Sequence, residues 1–473
     1  MSTRHSKNPI AKLGLTRTSL IRFTMVVLTG QWIYIFINLR KTLFDPFMEQ
    51  GLGLNMMEFS IVLAMQGVAS VFGTILIGWL SDRFSLKSVL GFSAMGIGVV
   101  SLAITWLPTM LGHYIGLIPN CILFAILFVL SECAAWPAVL KGVRVSVPEN
   151  VQGTAFGVME GGRGVLNLLG GSIALAVFGI FADAHFGILA SMTVTSLLCF
   201  AVGLGVYIVM PPVRLATDES VGSTKVALSG LLDALKSPEI WLCGLTAMFA
   251  ISFYRAFDTY MNPFMTKAIN LPIILAGVIA LFTGPVSKIV SGPLAGVLSD
   301  LKFKSSMHFM RLLMILLVFA GLALAIMPKN PSTAIVLVVV MVVVMCISYA
   351  IKALYFAPIG EMGIPKAKSA AAISVAGTFC YSPKLWVPLV FGPLLEYTPS
   401  LFPNGLTVFG IEYDPIDCAY SLMYLILTGL VVIGVICASI LIPRVKWVKK
   451  GAAAAEAAEE EDKVLERSSS ASE

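Results

Sequence analysis

Ile77-Gly-Trp-Leu-Ser-Asp-Arg-Phe-Ser-Leu-Lys87 is a short polar turn between two apolar runs, and a reduced copy returns at Ala295-Gly-Val-Leu-Ser-Asp-Leu-Lys-Phe-Lys304. The aspartates of the two copies, Asp82 and Asp300, differ by 218 positions. Each copy closes one long oily stretch and opens the next, so each reads as the turn between two membrane helices. A turn repeated in this way predicts a chain of two related halves.

Composition places those halves in lipid. Over 473 residues the hydrophobic share is 58%, the charged share 12% and the mean hydropathy +0.90, against roughly 25% charged residues in a soluble domain. A bilayer core needs about 20 apolar residues per helix, and segments of that length satisfy their own backbone groups in lipid as helices. Seven of the eight cysteines (Cys121, Cys133, Cys199, Cys243, Cys346, Cys380 and Cys437) stand singly in apolar runs, and no pair has metal-ligand or redox spacing. His5, His113, His185 and His308 fall near predicted helix ends, which offers neither a metal site nor a histidine-assisted nucleophile. The formal net charge of +6 hides an asymmetry: from Gly451 onward there are seven acids and two bases, which leaves +11 on residues 1–450.

Twelve helices are predicted, at about 19–44, 58–80, 88–108, 113–139, 152–181, 187–209, 240–262, 271–296, 306–327, 332–357, 369–393 and 419–442. Arg83, Lys87, Lys141, Arg144, Arg214, Lys225, Lys302, Lys304 and Lys446 fall on the side of the N-terminus, while the opposite loops offer chiefly Lys267 and Lys329. By the positive-inside rule both termini are expected in the cytoplasm, and the first apolar run is read as an anchor rather than a cleaved leader. The expected fold class is an all-α membrane protein with twelve transmembrane helices in two pseudo-symmetric bundles. Residues 1–210 form one six-helix bundle, 211–238 a cytoplasmic linker, 239–450 the second bundle and 451–473 an acidic disordered tail. Parallel repeats of this kind rock about a site near mid-membrane.

Ionisable groups inside spanning helices cost roughly 2.5–3.5 kcal/mol each on insertion scales, and they face a cavity or a partner. Here they are Arg40, Glu132, Glu160, Arg163, Arg255, Asp258, Lys288, Lys352 and Lys384. The repeat orders them: Arg40 and Arg255 differ by 215, and Arg163 and Lys384 by 221, both near 218. Facing bundles set such pairs on opposite walls of one central cavity, and Arg163 lies about 16 Å into its helix at 1.5 Å per residue. Four converging cations call for an anion, and a guanidinium grips phosphate, sulfonate or carboxylate with two parallel hydrogen bonds. Tyr254, Tyr381 and Trp136 are candidates to wall its carbon skeleton, and Glu132, Glu160, Asp258, Lys288 and Lys352 are assigned to coupling or gating. Two alternatives stay open. Arg163 has Glu160 three residues earlier on the same helical face, which reads equally as a structural ion pair. Lys41 is expected to snorkel to the headgroups, and Arg40 has the same alternative. The glycines between Gly153 and Gly171 are read as packing positions.

Gly78, Leu80, Asp82, Arg83 and Lys87 resemble the helix 2 to helix 3 signature of the major facilitator superfamily, with Ser85 where that family usually has a second glycine. The resemblance implies alternating access and a conformational role for Gly78, Asp82, Arg83 and Asp300, with Asp82 and Arg83 clasping the cytoplasmic ends of the bundles in the outward-facing state. A closer likeness is to the organophosphate:phosphate antiporters and neighbouring organic-anion transporters. Tyr34-Ile-Phe-Ile-Asn-Leu-Arg-Lys41 is similar to their helix 1 motif, with Arg40 at the phosphate-binding arginine. Arg255, eight residues before Pro263, matches their helix 7 arginine, and Trp136-Pro137 a helix 4 pair. The chain departs from them at Arg163, where they carry histidine, and at Thr74, where they carry lysine.

These readings converge on a secondary transporter of a small organic anion, working by anion exchange or cation-coupled symport. No enzyme activity, cofactor, metal or nucleic acid is expected; the expected partners are the bilayer and the anionic substrate, with the chain acting as a monomer in a bacterial inner membrane. A sugar or drug facilitator of the same fold predicts a neutral or acidic cavity, and a non-transporting sensor has only the acidic tail in its support.

Overall fold

The computed structural model describes residues 17–73, 84–146, 152–211, 235–303, 305–330, 332–362, 366–408, 411–445 and 447. The described residues open with a helix in two pieces, α1 (Arg17–Trp32) and α2 (Ile35–Thr42), bent by 48° between them. The first half continues with α3 (Met56–Val68), α4 (Leu86–Leu111), α5 (Leu117–Phe128), α6 (Trp136–Ser146), α7 (Gln152–Ile180) and α8 (Ala184–Val209). The second half holds α9 (Pro238–Pro263), α10 (Ile273–Lys302), α11 (Ser306–Ile326), α12 (Ala334–Leu354), the short α13 (Ala357–Glu361), α14 (Lys366–Tyr381), α15 (Pro383–Leu401) and α16 (Pro415–Leu441). Among the described residues four stretches widen into π-helical turns: Pro46–Gly51, Ala69–Gly73, Val129–Ala135 and Phe264–Ala268.

Among the described residues nine helices are long and apolar enough to cross a bilayer, or ten if α1 and α2 count as one span. Of the others expected, the helix at 58–80 runs into residues 74–83, which lie outside the described residues, and the helix at 369–393 is broken at Ser382, ahead of Pro383, into α14 and α15. The helix expected unbroken over 19–44 carries the bend just described. Between the helices expected at 369–393 and 419–442 lie two short antiparallel strands, β1 (Leu406–Val408) and β2 (Ile411–Tyr413), with Leu406 opposite Tyr413. Most of the expected linker, the tail from Gly451 and three motif residues, Gly78, Asp82 and Arg83, lie outside the described residues, as does the side chain of Asp300.

Local chemistry sets several helix starts. Glu58 N–H donates to Asn55 Oδ1 at 2.8 Å while Asn55 N–H donates to Glu58 Oε2 at 3.1 Å, a reciprocal cap that opens α3. Asp183 accepts from the Phe186 N–H at 3.0 Å and opens α8.

The halves meet where small residues let backbones approach. Helix α3 runs along α15, and α7 along α10. A Cβ on Gly67 would lie 2.3 Å from the Leu385 backbone, and one on Gly392 would lie 2.2 Å from Ser60 Cβ. Neither space can be made by a side-chain rotation alone. Gly67→Ala is therefore expected to destabilise this packed arrangement by about 1–3 kcal/mol, the usual cost of overpacking. A thermal unfolding midpoint equal to that of the parent protein would show that α3 and α15 do not pack this closely.

The 218-residue repeat reappears in space. Arg40 bonds Thr259, Lys41 bonds Asp258, Phe44 N–H and the Thr42 carbonyl both bond Asn262, Thr266 bonds Asp45 and Lys267 bonds Glu49, at separations of 217 to 221 residues. A residue can touch its own counterpart only beside the axis that relates them. The ends of α2 and α9 therefore lie on a local pseudo-twofold axis, and the π-helical turns that follow them, starting at Pro46 and Phe264, are also 218 apart.

Candidate functional site

Below that axis contact the halves diverge around a cavity of about 910 Å³. Its wall includes eleven of the residues singled out from the sequence: Arg40, Arg163, Arg255, Lys384, Tyr254, Tyr381, Trp136, Glu132, Glu160, Lys288 and Lys352. Asp258 is not on this wall. It lies behind it, 6% exposed, beside a side chamber of about 50 Å³.

Lys41 corrects the snorkelling expectation. Its ammonium bonds Asp258 at 2.9–3.0 Å and lines both the cavity and the side chamber, because the bend after α1 turns α2 inward. Arg40 is buried rather than at the surface, 6% exposed, with Nη1 donating to Thr259 Oγ1 at 3.2 Å and Nε without a partner.

The carboxylates sort the cations into two groups. Glu160 holds Arg163 at 2.8 Å from its own helix and Lys288 from α10. Glu132 accepts from Lys384 at 3.0 Å and from Gln66 at 2.7 Å, and Lys384 also donates to Ser70 at 2.9 Å. Arg163 is tied down further, donating to the Gly30 carbonyl at 3.0 Å and lying 4.5 Å over the Trp136 ring. Of the two symmetry-related cation pairs, Arg163 and Lys384 are thus engaged by carboxylates. Arg40 and Arg255 are not, and neither is Lys352: among the described residues no carboxylate lies within salt-bridge distance of these three.

Tyr254 stands between two of these cations. The Arg255 guanidinium lies 5.6 Å from its ring centre, and the Lys352 ammonium lies 4.6 Å from that ring and 3.2 Å from its hydroxyl. Arg40 and Lys352 both lie within electrostatic reach of Arg255. Seven cations (Arg40, Lys41, Arg163, Arg255, Lys288, Lys352 and Lys384) against Glu132, Glu160 and the nearby Asp258 leave four positive charges in excess when every group carries its ordinary charge. Fixed cations in a low-dielectric wall attract an anion far more strongly than they would in water. Among the described residues no cluster of histidine, cysteine and acidic side chains is suited to a metal ion.

Lys352, assigned above to coupling or gating, has no acid within a helical turn in the sequence. Gln31, Asn38 and Asn167 join the wall without having been singled out from the sequence. A signal was there: Gln31, Tyr34, Asn38 and Lys41 recur at helical spacing in an otherwise apolar run.

A many-helix membrane protein with a polar cavity between repeated halves is the architecture of a solute carrier. The chain belongs to the Major Facilitator Superfamily, whose profile matches residues 24–388. It is 25% identical over 403 residues to the inner membrane protein YihN of Escherichia coli (strain K12), covering 84% of this chain and 92% of that one. It is 22% identical over 385 residues to the inner membrane protein YqcE of the same organism, covering 77% and 86%. In fold it is similar to the nucleoside transporter NupG as its D323A mutant, with a TM-score of 0.66 at 15% identity over 90% of this chain and all of that one. It is likewise similar to a bacterial homologue of the lysosomal transporter Spinster in an inward-facing, unoccupied conformation, with a TM-score of 0.65 at 14% identity over 90% and 96%.

Proposed function

We propose that this protein is a secondary active transporter of a small organic anion, a sugar phosphate or other organophosphate, a sulfonate or a sugar acid, working by alternating access. In this reading residues 1–210 and 239–450 are two six-helix bundles with twelve spans between them, joined by the linker at 211–238. Both termini face the cytoplasm of a bacterial inner membrane, and the chain acts as a monomer.

The observation that carries the reading is the set Arg40, Arg255 and Lys352, three cations on one cavity with no carboxylate partner among the described residues. A neutral sugar or a cationic drug would bring no negative charge to these three, whereas an oxyanion brings one and accepts from both guanidinium groups. Exchange is the coupling that the ion pairs favour. Glu132, Glu160 and Asp258 each already hold a lysine or arginine, so a coupling cation would have to displace one. With the positive loops on the cytoplasmic side, the bonded contacts of α2 with α9 and of α3 with α15 lie toward the outer face, which supports an inward-facing state.

Thermal unfolding of the purified protein tests the anion reading. A ligand at 100 times its Kd stabilises by about 2.7 kcal/mol. Glucose 6-phosphate, inorganic phosphate, methanesulfonate, gluconate and succinate form the anion panel, with glucose as the neutral control. At least one anion is expected to raise the midpoint, and less so as salt rises. A shift with glucose alone would return the chain to the neutral facilitators. Uptake into proteoliposomes then separates a carrier from a sensor, which moves nothing.

A further inference from the structure

The cations give the cavity a means of holding charge, but one part of its wall is neutral. Gln31 at the end of α1, Asn38 on α2 and Asn167 on α7 meet there. Gln31 Nε2 donates to Asn167 Oδ1 at 2.9 Å, and Asn38 Nδ2 donates to the same oxygen at 3.3 Å. All three line both the cavity and the side chamber. An amide offers two acceptor positions and two donors. With Asn167 Oδ1 accepting both bonds, the Asn167 amide nitrogen and the carbonyl oxygens of Gln31 and Asn38 have no partner among the described residues. None of these atoms is among the buried atoms left without a partner, so they face open space. Gln66, another amide on the wall, is already spent on Glu132.

The neighbouring surface is aromatic. Trp136 and Tyr34 stand edge to face, 6.3 Å between ring centres, with the Arg163 guanidinium over both at 4.5 and 6.0 Å. Asn38 and Arg40 both line this one cavity, so one ligand can reach the neutral patch and the charged one.

We propose that Gln31, Asn38 and Asn167 form a hydroxyl-reading subsite, which makes the transported anion a polyhydroxylated one. Its charged head lies at Arg40, Arg255 and Lys352, and several hydroxyl groups on its carbon skeleton lie against the amides. This rests on the anion reading above. A hydroxyl donates and accepts at once, so neighbouring hydroxyls match an amide nitrogen beside a carbonyl oxygen. An alkyl chain in the same place expels the water that served these amides and returns nothing. A site built to bond a hydroxyl discriminates strongly against the analogue that lacks it. Space is no obstacle, since a cavity of about 910 Å³ far exceeds a lone inorganic oxyanion.

The competing explanation is that the three amides only brace α1 and α2 against α7, as polar side chains do between membrane helices. Calorimetry on the full chain in detergent separates the two, with probes matched in charge and carbon count: gluconate against hexanoate, and glucose 6-phosphate against hexyl phosphate. At least one hydroxylated anion is expected to bind about 10- to 100-fold tighter than its alkyl counterpart, the effect of two or three net hydrogen bonds. Asn167→Leu should remove that preference while changing the affinity of the alkyl anion by less than about twofold, because the charged end is untouched. If Asn167→Leu does not fold, Gln31→Met, which leaves the Asn38–Asn167 bond in place, should cut the preference several-fold. Equal affinities within both pairs, or a variant that weakens both members equally, would make the cluster a brace and overturn the proposal. Binding of none of the four anions would instead overturn the anion reading on which it rests.

Discussion

Arg40→Lys and Arg255→Lys should each weaken binding of the transported anion by about 30-fold to several thousand-fold, although both keep the positive charge. A lysine is a point donor on a flexible stem, while a guanidinium presents a fixed fork that meets two oxygens of one head group. Arg40 is the sharper case. It is 6% exposed, its Nη1 is positioned by Thr259, and it lines the cavity with no carboxylate within salt-bridge distance among the described residues. Arg255 approaches from the other half, against the Tyr254 ring. Truncating one side of a desolvated charge pair typically costs about 2–5 kcal/mol, which at 1.4 kcal/mol per decade gives the range above. If both arginines hold one head group, the double variant costs less than the sum of the single ones, since a shared ligand is lost only once. Calorimetry on folded protein measures all three. Unchanged affinity in either single variant would remove that arginine from the site.

Helix positions and the repeat were readable because hydropathy is a one-dimensional property: a lipid-facing helix must be written as an apolar run, and the polar turns between runs mark its ends. The 218-residue offset of Asp82 and Asp300 is matched by contacts at 217 to 221 residues between α2 and α9 and the segments that follow them. The bend between α1 and α2 and the strands at 406–413 were not readable, because neither changes hydropathy.

Charged residues were legible as a set for a similar reason, since lipid gives a buried charge few places to go other than a cavity. Their pairing was not. Glu160 and Arg163 are neighbours on one helix and could be matched on paper. Glu132 and Lys384 are 252 residues apart, and only the docking of one half on the other brings them together. The same holds for Lys41, which reads as a helix-end lysine until the bend turns it toward Asp258. The neutral amides left a weaker trace, a polar stripe within an apolar run.

Removing Lys384 alone should damage the protein more than removing it together with the charge of Glu132. The two side chains are 9% and 7% exposed, their bond is 3.0 Å, and it crosses between halves. It also rests on two widened turns: Ser70 on Ala69–Gly73 and Glu132 on Val129–Ala135, the kind of local distortion often found at functional sites. Lys384→Met leaves the Glu132 carboxylate with Gln66 as its remaining partner, and an unpaired buried charge costs about 3–5 kcal/mol. Combining it with Glu132→Gln keeps an acceptor for Gln66 and removes the stranded charge, so most of that loss should return, because an apolar replacement of a whole buried pair is often neutral or better. A double-mutant cycle on unfolding in detergent reads the coupling directly. The same variants decide between two roles for Lys384. A lysine that holds the substrate takes anion affinity away in the double variant as well. A lysine that holds the halves together leaves that affinity with Arg40, Arg255 and Lys352, and changes instead the rate at which the cavity turns from one face of the membrane to the other. The geometry, with Lys384 bonded to both Ser70 and Glu132, favours the second outcome, and loss of anion binding in a stable double variant would reverse it.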